Sequence, residues 1–218
     1  AQRINIDAHR VDNRRGIVIA GDELRIATNG LTNGATNSAG KNSATNNAST
    51  SADTTDTTQD GALLSLRDID IVVAGDYSHH GLIHAERHAS LVSQGALDNL
   101  GQLSAGDTLK VKASTINNTA QARIEGKNVN VNVNVNGNSD RGLINRGLVN
   151  GENVSITSPD IQNLGTGRIY GDQLALQADT ILNAPETVNG ITTAPVIAAR
   201  DRLVIGTGTL ENRDGGLI

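Results

Sequence analysis

The side chains best suited to chemistry in this 218-residue chain lie close together in sequence. His79, His80, His84 and His88 form its one cluster of imidazoles, and Asp68 and Asp70 stand just before them. A second acidic pair is Asp53 with Asp56. On a helix, His80, His84 and His88 would share one face and could hold zinc. Paired carboxylates on neighbouring strands could instead act as acid and base on a polysaccharide. Each chemistry depends on the backbone that carries the side chains, so the elements must be read before the site.

Composition narrows those elements. An apolar fraction of 37% is enough for a core, yet Phe, Trp, Met and Cys are absent, and Tyr77 and Tyr170 are the only aromatic residues. Aromatic rings normally fill irregular interior space. An interior of Val, Ile, Leu and Ala alone suits a narrow cross-section that stays constant. Lack of cysteine excludes disulfides and thiolate metal sites. A formal net charge of −5 argues against a nucleic-acid partner, which needs clustered Lys and Arg. No apolar stretch is long enough to span a bilayer as a helix, and no signal peptide is visible. The chain begins at Ala1-Gln2 and stops at Gly216-Leu217-Ile218, within what reads as another repeat, so a segment of a longer protein is expected.

Alternating aliphatic positions recur along the chain: Leu24/Ile26, Ile69/Ile71, Leu91 alone, Leu109/Val111, Val129/Val131, Val154/Ile156, Leu174/Leu176 and Leu203/Ile205. Seven residues after the first of a pair comes a second column, Leu31, Ile116, Ile161, Ile181 and Leu210. Two positions later stands asparagine, at Asn33, Asn118, Asn163, Asn183 and Asn212, and Leu97 with Asn99 fits with one residue fewer. Alternation at period two marks strands with one buried face, and the recurrent Gly, Asn and Thr exclude helix. Three short strands per unit of about 20 residues make an all-β fold, a parallel β-helix with polar loop insertions. Coils about 4.8 Å apart would give a rod of roughly 40 Å. Asparagine is expected at corners in the left-handed conformation, its amide bonding to the next coil. Glycines 106, 126, 151 and 171 are expected at another corner for the same steric reason. One coil could not stand alone, because burying an aliphatic side chain contributes about 1.5–3 kcal/mol while ordering each residue costs roughly 1–2 kcal/mol.

Residues 1–218 read as one β-helical segment with two main insertions. Residues 34–60 form a low-complexity polar loop, lacking any aliphatic residue larger than Ala. Residues 184–198 form a second loop, where Pro185 and Pro195 would interrupt a ladder. Residues 136–147 lengthen a third coil, after the long alternating strand at 128–136. On such a scaffold the histidines are expected in exposed turns, His88 at the glycine corner. Asp68 and Asp70, flanking an inward Ile69, should point outward side by side on a solvated face, with Tyr77 the one nearby candidate platform for a sugar ring. No calcium-binding glycine–aspartate repeat, nucleophile elbow or phosphate loop is present. No catalytic, cofactor-binding or metal-ligating residue is assigned, and the chain is not expected to be an enzyme. The alternative is a β-helical carbohydrate-active enzyme using its surface carboxylates.

The units "GQLSAGDTLKVKASTINN", "GRIYGDQLALQADTILN" and "RGLVNGENVSITSPDIQN" resemble the haemagglutinin repeats of filamentous-haemagglutinin-type exoproteins. That family is exported from Gram-negative bacteria by two-partner secretion and includes contact-dependent growth-inhibition proteins. The likeness is specific over about residues 99–183, reasonable for 11–33 and 200–218, and weak at 61–98. It implies a right-handed β-helix, a secreted or bacterial cell-surface location, and a role in adhesion or in carrying a toxin outward. The implied partners are an outer-membrane transporter during export and a receptor or glycan on a host or target cell. The Asn-Pro motifs of the family's amino-terminal secretion domain are absent, so the resemblance places this segment in the repeat shaft and carries over no catalytic residue.

Overall fold

The computed structural model describes residues 1–34, 61–133 and 142–218. Asp53, Asp56, the first insertion beyond Gly34 and the end of the 128–136 run lie outside the described residues. Within them the chain forms 19 strands and no helix. Seventeen strands belong to one continuous sheet that returns on itself coil after coil, and every strand pair in it is parallel. The fold is a parallel β-helix.

The first aliphatic column is the inward row of one sheet face. Leu24 pairs with Ile69, Ile69 with Ala89, Ala89 with Leu109, and Leu109 with Val129. Val129, Val154, Leu174 and Leu203 continue the row. Ala89 supplies the missing partner of Leu91, a small residue that does not announce a strand. The register runs from Asp68 to His88, to Thr108 and to Asn128, a repeat of 20 residues. It lengthens only where Glu23 is followed by Asp68, Asn128 by Asn153 and Gln173 by Arg202, the coils that hold insertions.

The second column becomes the row Leu97, Ile116, Leu143, Ile161 and Ile181, all fully or almost fully buried. Leu143–Asn145 is thus a regular strand, and the lengthening predicted for 136–147 stops before it. Behind this row runs an asparagine ladder. Asn99, Asn118, Asn145, Asn163 and Asn183 each donate from Nδ2 to Oδ1 of the next asparagine at 2.7 to 2.8 Å, ending on Asn212. The second Nδ2 proton goes to a main-chain carbonyl at 3.1 to 3.3 Å, as from Asn118 to Leu148 and from Asn163 to Val196. Asn13 and Asn33 repeat the arrangement at 2.8 Å in the first coils. The bond to the next coil follows the expectation, but the left-handed backbone does not. Among the described residues, positive φ at non-glycine positions occurs at Arg15, Asn189 and Asp214, not at the ladder asparagines. Satisfying a buried amide, rather than turning the chain, is what selects asparagine here.

A third face escaped the periodicity. Leu63, Ile83, Leu103, Ile124, Val149, Ile169 and Ile197 stack in register. Each is followed two positions later by a small residue: Ser65, Ala85, Ala105, Gly126, Gly151, Gly171 and Ala199. These small side chains let adjacent backbones approach. A Cβ on Gly151 would lie 2.5 Å from the Gly126 carbonyl oxygen. Close packing therefore selects these glycines, not a left-handed φ, which belongs to Gly34, Gly165, Gly190 and Gly215. Gly106 falls one residue beyond that column, and a Cβ there would meet the Glu86 carbonyl oxygen at 2.1 Å.

The insertion predicted at 184–198 is shorter and ordered. Ala184 still pairs with Leu164 and Val196 with Arg168, so only the residues between leave the coil. Glu186–Val188 and Ile191–Thr193 form an antiparallel hairpin, bracketed by Pro185 and Pro195.

Candidate functional site

Asp68 and Asp70 lie on the strand Asp68–Val73, on either side of buried Ile69, and both face outward as the alternation requires. In register with them on the next two coils stand His88 and Ser90, then Thr108 and Lys110. Together they line a shallow groove of about 300 Å³. Its electrostatics are those of a strut. Asp68 accepts hydrogen bonds from Arg87, from Nε at 3.0 Å and from the terminal nitrogen, and this guanidinium holds its carboxyl below the usual carboxylate range. Asp70 accepts from Arg25 at 3.4 Å. Asp22 likewise ties Arg3, at 3.1 Å, to Arg67, at 2.7 Å. Each pair bridges neighbouring coils. A glycosidic general acid needs a raised pKa, and the arginine at Asp68 works in the opposite direction. Tyr77, the only tyrosine near these acids in sequence, is buried and offers no sugar platform.

The histidines do not act as a set. His84 lies on the strand Leu82–Ala85, its Nδ1 2.9 Å from Ser104 Oγ. His88 opens the strand His88–Ser93, 3.6 Å from Asp107, in register with Thr108 rather than at the glycine column. Among the described residues, no group of three or more His, Asp and Glu side chains converges to hold a metal ion.

His79 departs most from expectation. It is 0% exposed, whereas an exposed turn was predicted. It pairs with Asn33 on one side and Asn99 on the other, taking the place of an asparagine in the ladder. Nε2 lies 3.1 Å from the Gln102 carbonyl oxygen, so it carries the proton, and Nδ1 accepts from the Tyr77 hydroxyl at 3.0 Å. Where other coils bury Leu and Asn, this coil buries Tyr and His. Burial is the main cause that lowers the His79 pKa to about 4, against an opposing hydrogen bond to Gln102, and burial likewise pushes the Tyr77 phenol up. The Tyr-x-His spacing that matches Leu-x-Asn in the coils around it was the available signal.

Two further surfaces bear on binding, the first unmarked by the sequence and the second within the loop expected at 184–198. One is a groove of about 280 Å³ bordered by the outward amides Asn128, Asn130, Asn153 and Gln173. The other is the hairpin, held at its base by two Arg146–Glu186 hydrogen bonds of 2.7 Å and carrying Val188 and Ile191 at 63% and 68% exposure. No protein-family model matches the chain, and neither a curated protein nor a solved structure matches it.

Proposed function

We propose that this chain is a shaft segment of a large secreted bacterial surface exoprotein of the filamentous-haemagglutinin type, acting in adhesion or contact-dependent toxin delivery and not as an enzyme. The observation that carries the reading is the continuity of the interior. Three aliphatic rows and an amide ladder run from coil to coil, so the rod can be extended by adding coils without altering any one of them. Contact with a receptor or glycan then belongs to an outward feature, the hairpin at 186–193. Export through an outer-membrane two-partner transporter suits a chain free of cysteine that buries no large aromatic ring besides Tyr77.

The test is direct. Purified chain should bind target cells, and Val188→Ser with Ile191→Ser should reduce that binding several-fold while leaving the melting temperature unchanged. The same preparation should release no sugar from acidic or neutral polysaccharides. Cleavage that disappears in Asp68→Asn or Asp70→Asn would replace the shaft by the carbohydrate-active alternative.

A further inference from the structure

The hairpin tip carries a chemistry of its own. Val188 pairs with Ile191, leaving Asn189 and Gly190 as a two-residue loop with φ of 52° and 77°, both positive, as a type I′ turn requires. An asparagine followed by glycine can cyclise, because a glycine amide nitrogen meets no side chain in reaching the asparagine carboxamide. Asn189 and Gly190 are exposed, and a Cβ on Gly190 would meet nothing within 4 Å. The hairpin pairs only with itself, through three residues on each strand.

Three other Asn–Gly pairs among the described residues are held. The Asn33 carboxamide is fully buried, accepting from Asn13 at 2.8 Å and donating to the Leu82 carbonyl at 3.1 Å. Asn29 lies 3.0 Å from His9 Nδ1, and Gly30 donates its N–H to Thr28 Oγ1 at 3.2 Å. Asn150 and Gly151 pair with Tyr170 and Gly171 in the ladder. Asn136–Gly137 lies outside the described residues.

We infer that Asn189 is a site of spontaneous modification, at which the folded chain directs deamidation to the hairpin tip. The deprotonated Gly190 nitrogen attacks Asn189 Cγ, a C–N bond forms, and the carboxamide nitrogen leaves as ammonia, giving a succinimide. Water then opens the ring at either carbonyl, yielding aspartate or isoaspartate. The sum is asparagine plus water giving acid plus ammonia, with no oxidant or cofactor. A carboxylate thereby appears on a tip whose residues 187–193 carry no charge, and isoaspartate adds a methylene to the backbone of the I′ turn.

Peptide mapping by mass spectrometry after storage in warm, mildly alkaline buffer tests this, with isoaspartyl methylation as a second readout. In the folded chain Asn189 should convert at least about tenfold faster than Asn29, Asn33 and Asn150, because local opening of a short hairpin costs less than opening the stacked core. In denaturant the four rates should converge. Comparable rates in the folded chain, an unconverted Asn189, or an Asn189 lead that persists in denaturant would each overturn the inference.

Discussion

At the residue scale, the Tyr77–His79 pair is the chain's most informative exception. A buried imidazole held neutral favours the fold only while the unfolded chain would not bind a proton that the folded one refuses. The folded pKa is near 4 and the ordinary value is 6.5, so the unfolded state binds more protons between those limits. Stability from this site is therefore complete above about pH 6.5 and declines as pH falls towards 4, by on the order of 3 kcal/mol in all. The double variant Tyr77→Leu, His79→Asn restores the leucine–asparagine pattern of the neighbouring coils. It should lose that part of the acid sensitivity, seen as a smaller difference in urea midpoint between neutral and mildly acidic buffer than the parent shows. An equal difference would mean that other groups govern the acid response. Both residues were visible in the sequence, but their burial was not, because a histidine beside a second histidine reads as a polar turn.

At the scale of the element, the asparagine ladder is a buried polar row in which each amide depends on its neighbours. Asn145→Ala removes the acceptor of Asn118 and the donor to Asn163 in one step. Leaving buried amide groups unsatisfied costs about 1–3 kcal/mol, and the urea midpoint should fall accordingly. Asn153→Ala, on the exposed face, should change stability by no more than about 0.5 kcal/mol. Equal effects at the two positions would show that the ladder contributes nothing beyond its shape. The ladder was legible from the Ile-x-Asn spacing, though its cause was not: the residues are chosen for their amides and not for backbone sign. The third face was illegible because its inward residues are one aliphatic and one small side chain, and a small residue carries no periodic signal.

At the scale of the whole molecule, the coils share their burial. Leu174 is 2% exposed and sits between Val154 and Leu203. Placing an unpaired carboxylate there costs several kcal/mol. Leu174→Asp should therefore remove hydrogen-exchange protection from the strands that carry Val154 and Leu203 as well as its own. Protection lost at Leu174 alone would show that the coils fold independently. The charged pairs across coils, such as Asp68 with Arg87, are too exposed to substitute for that core, since surface ion pairs contribute about 0–1 kcal/mol.

The sequence alone determined the architecture, because period-two aliphatics repeated every 20 residues can bury themselves only by stacking. It also marked residues that leave the coil at Pro185 and Pro195, since proline cannot donate to a ladder. Only the tertiary structure decided which polar residues lie inside, where the small residues face, and that the second insertion is a hairpin. Those outcomes depend on what the adjacent coil presents across a backbone separation of about 4.8 Å, and that neighbour lies 20 or more residues away, beyond the reach of any local pattern.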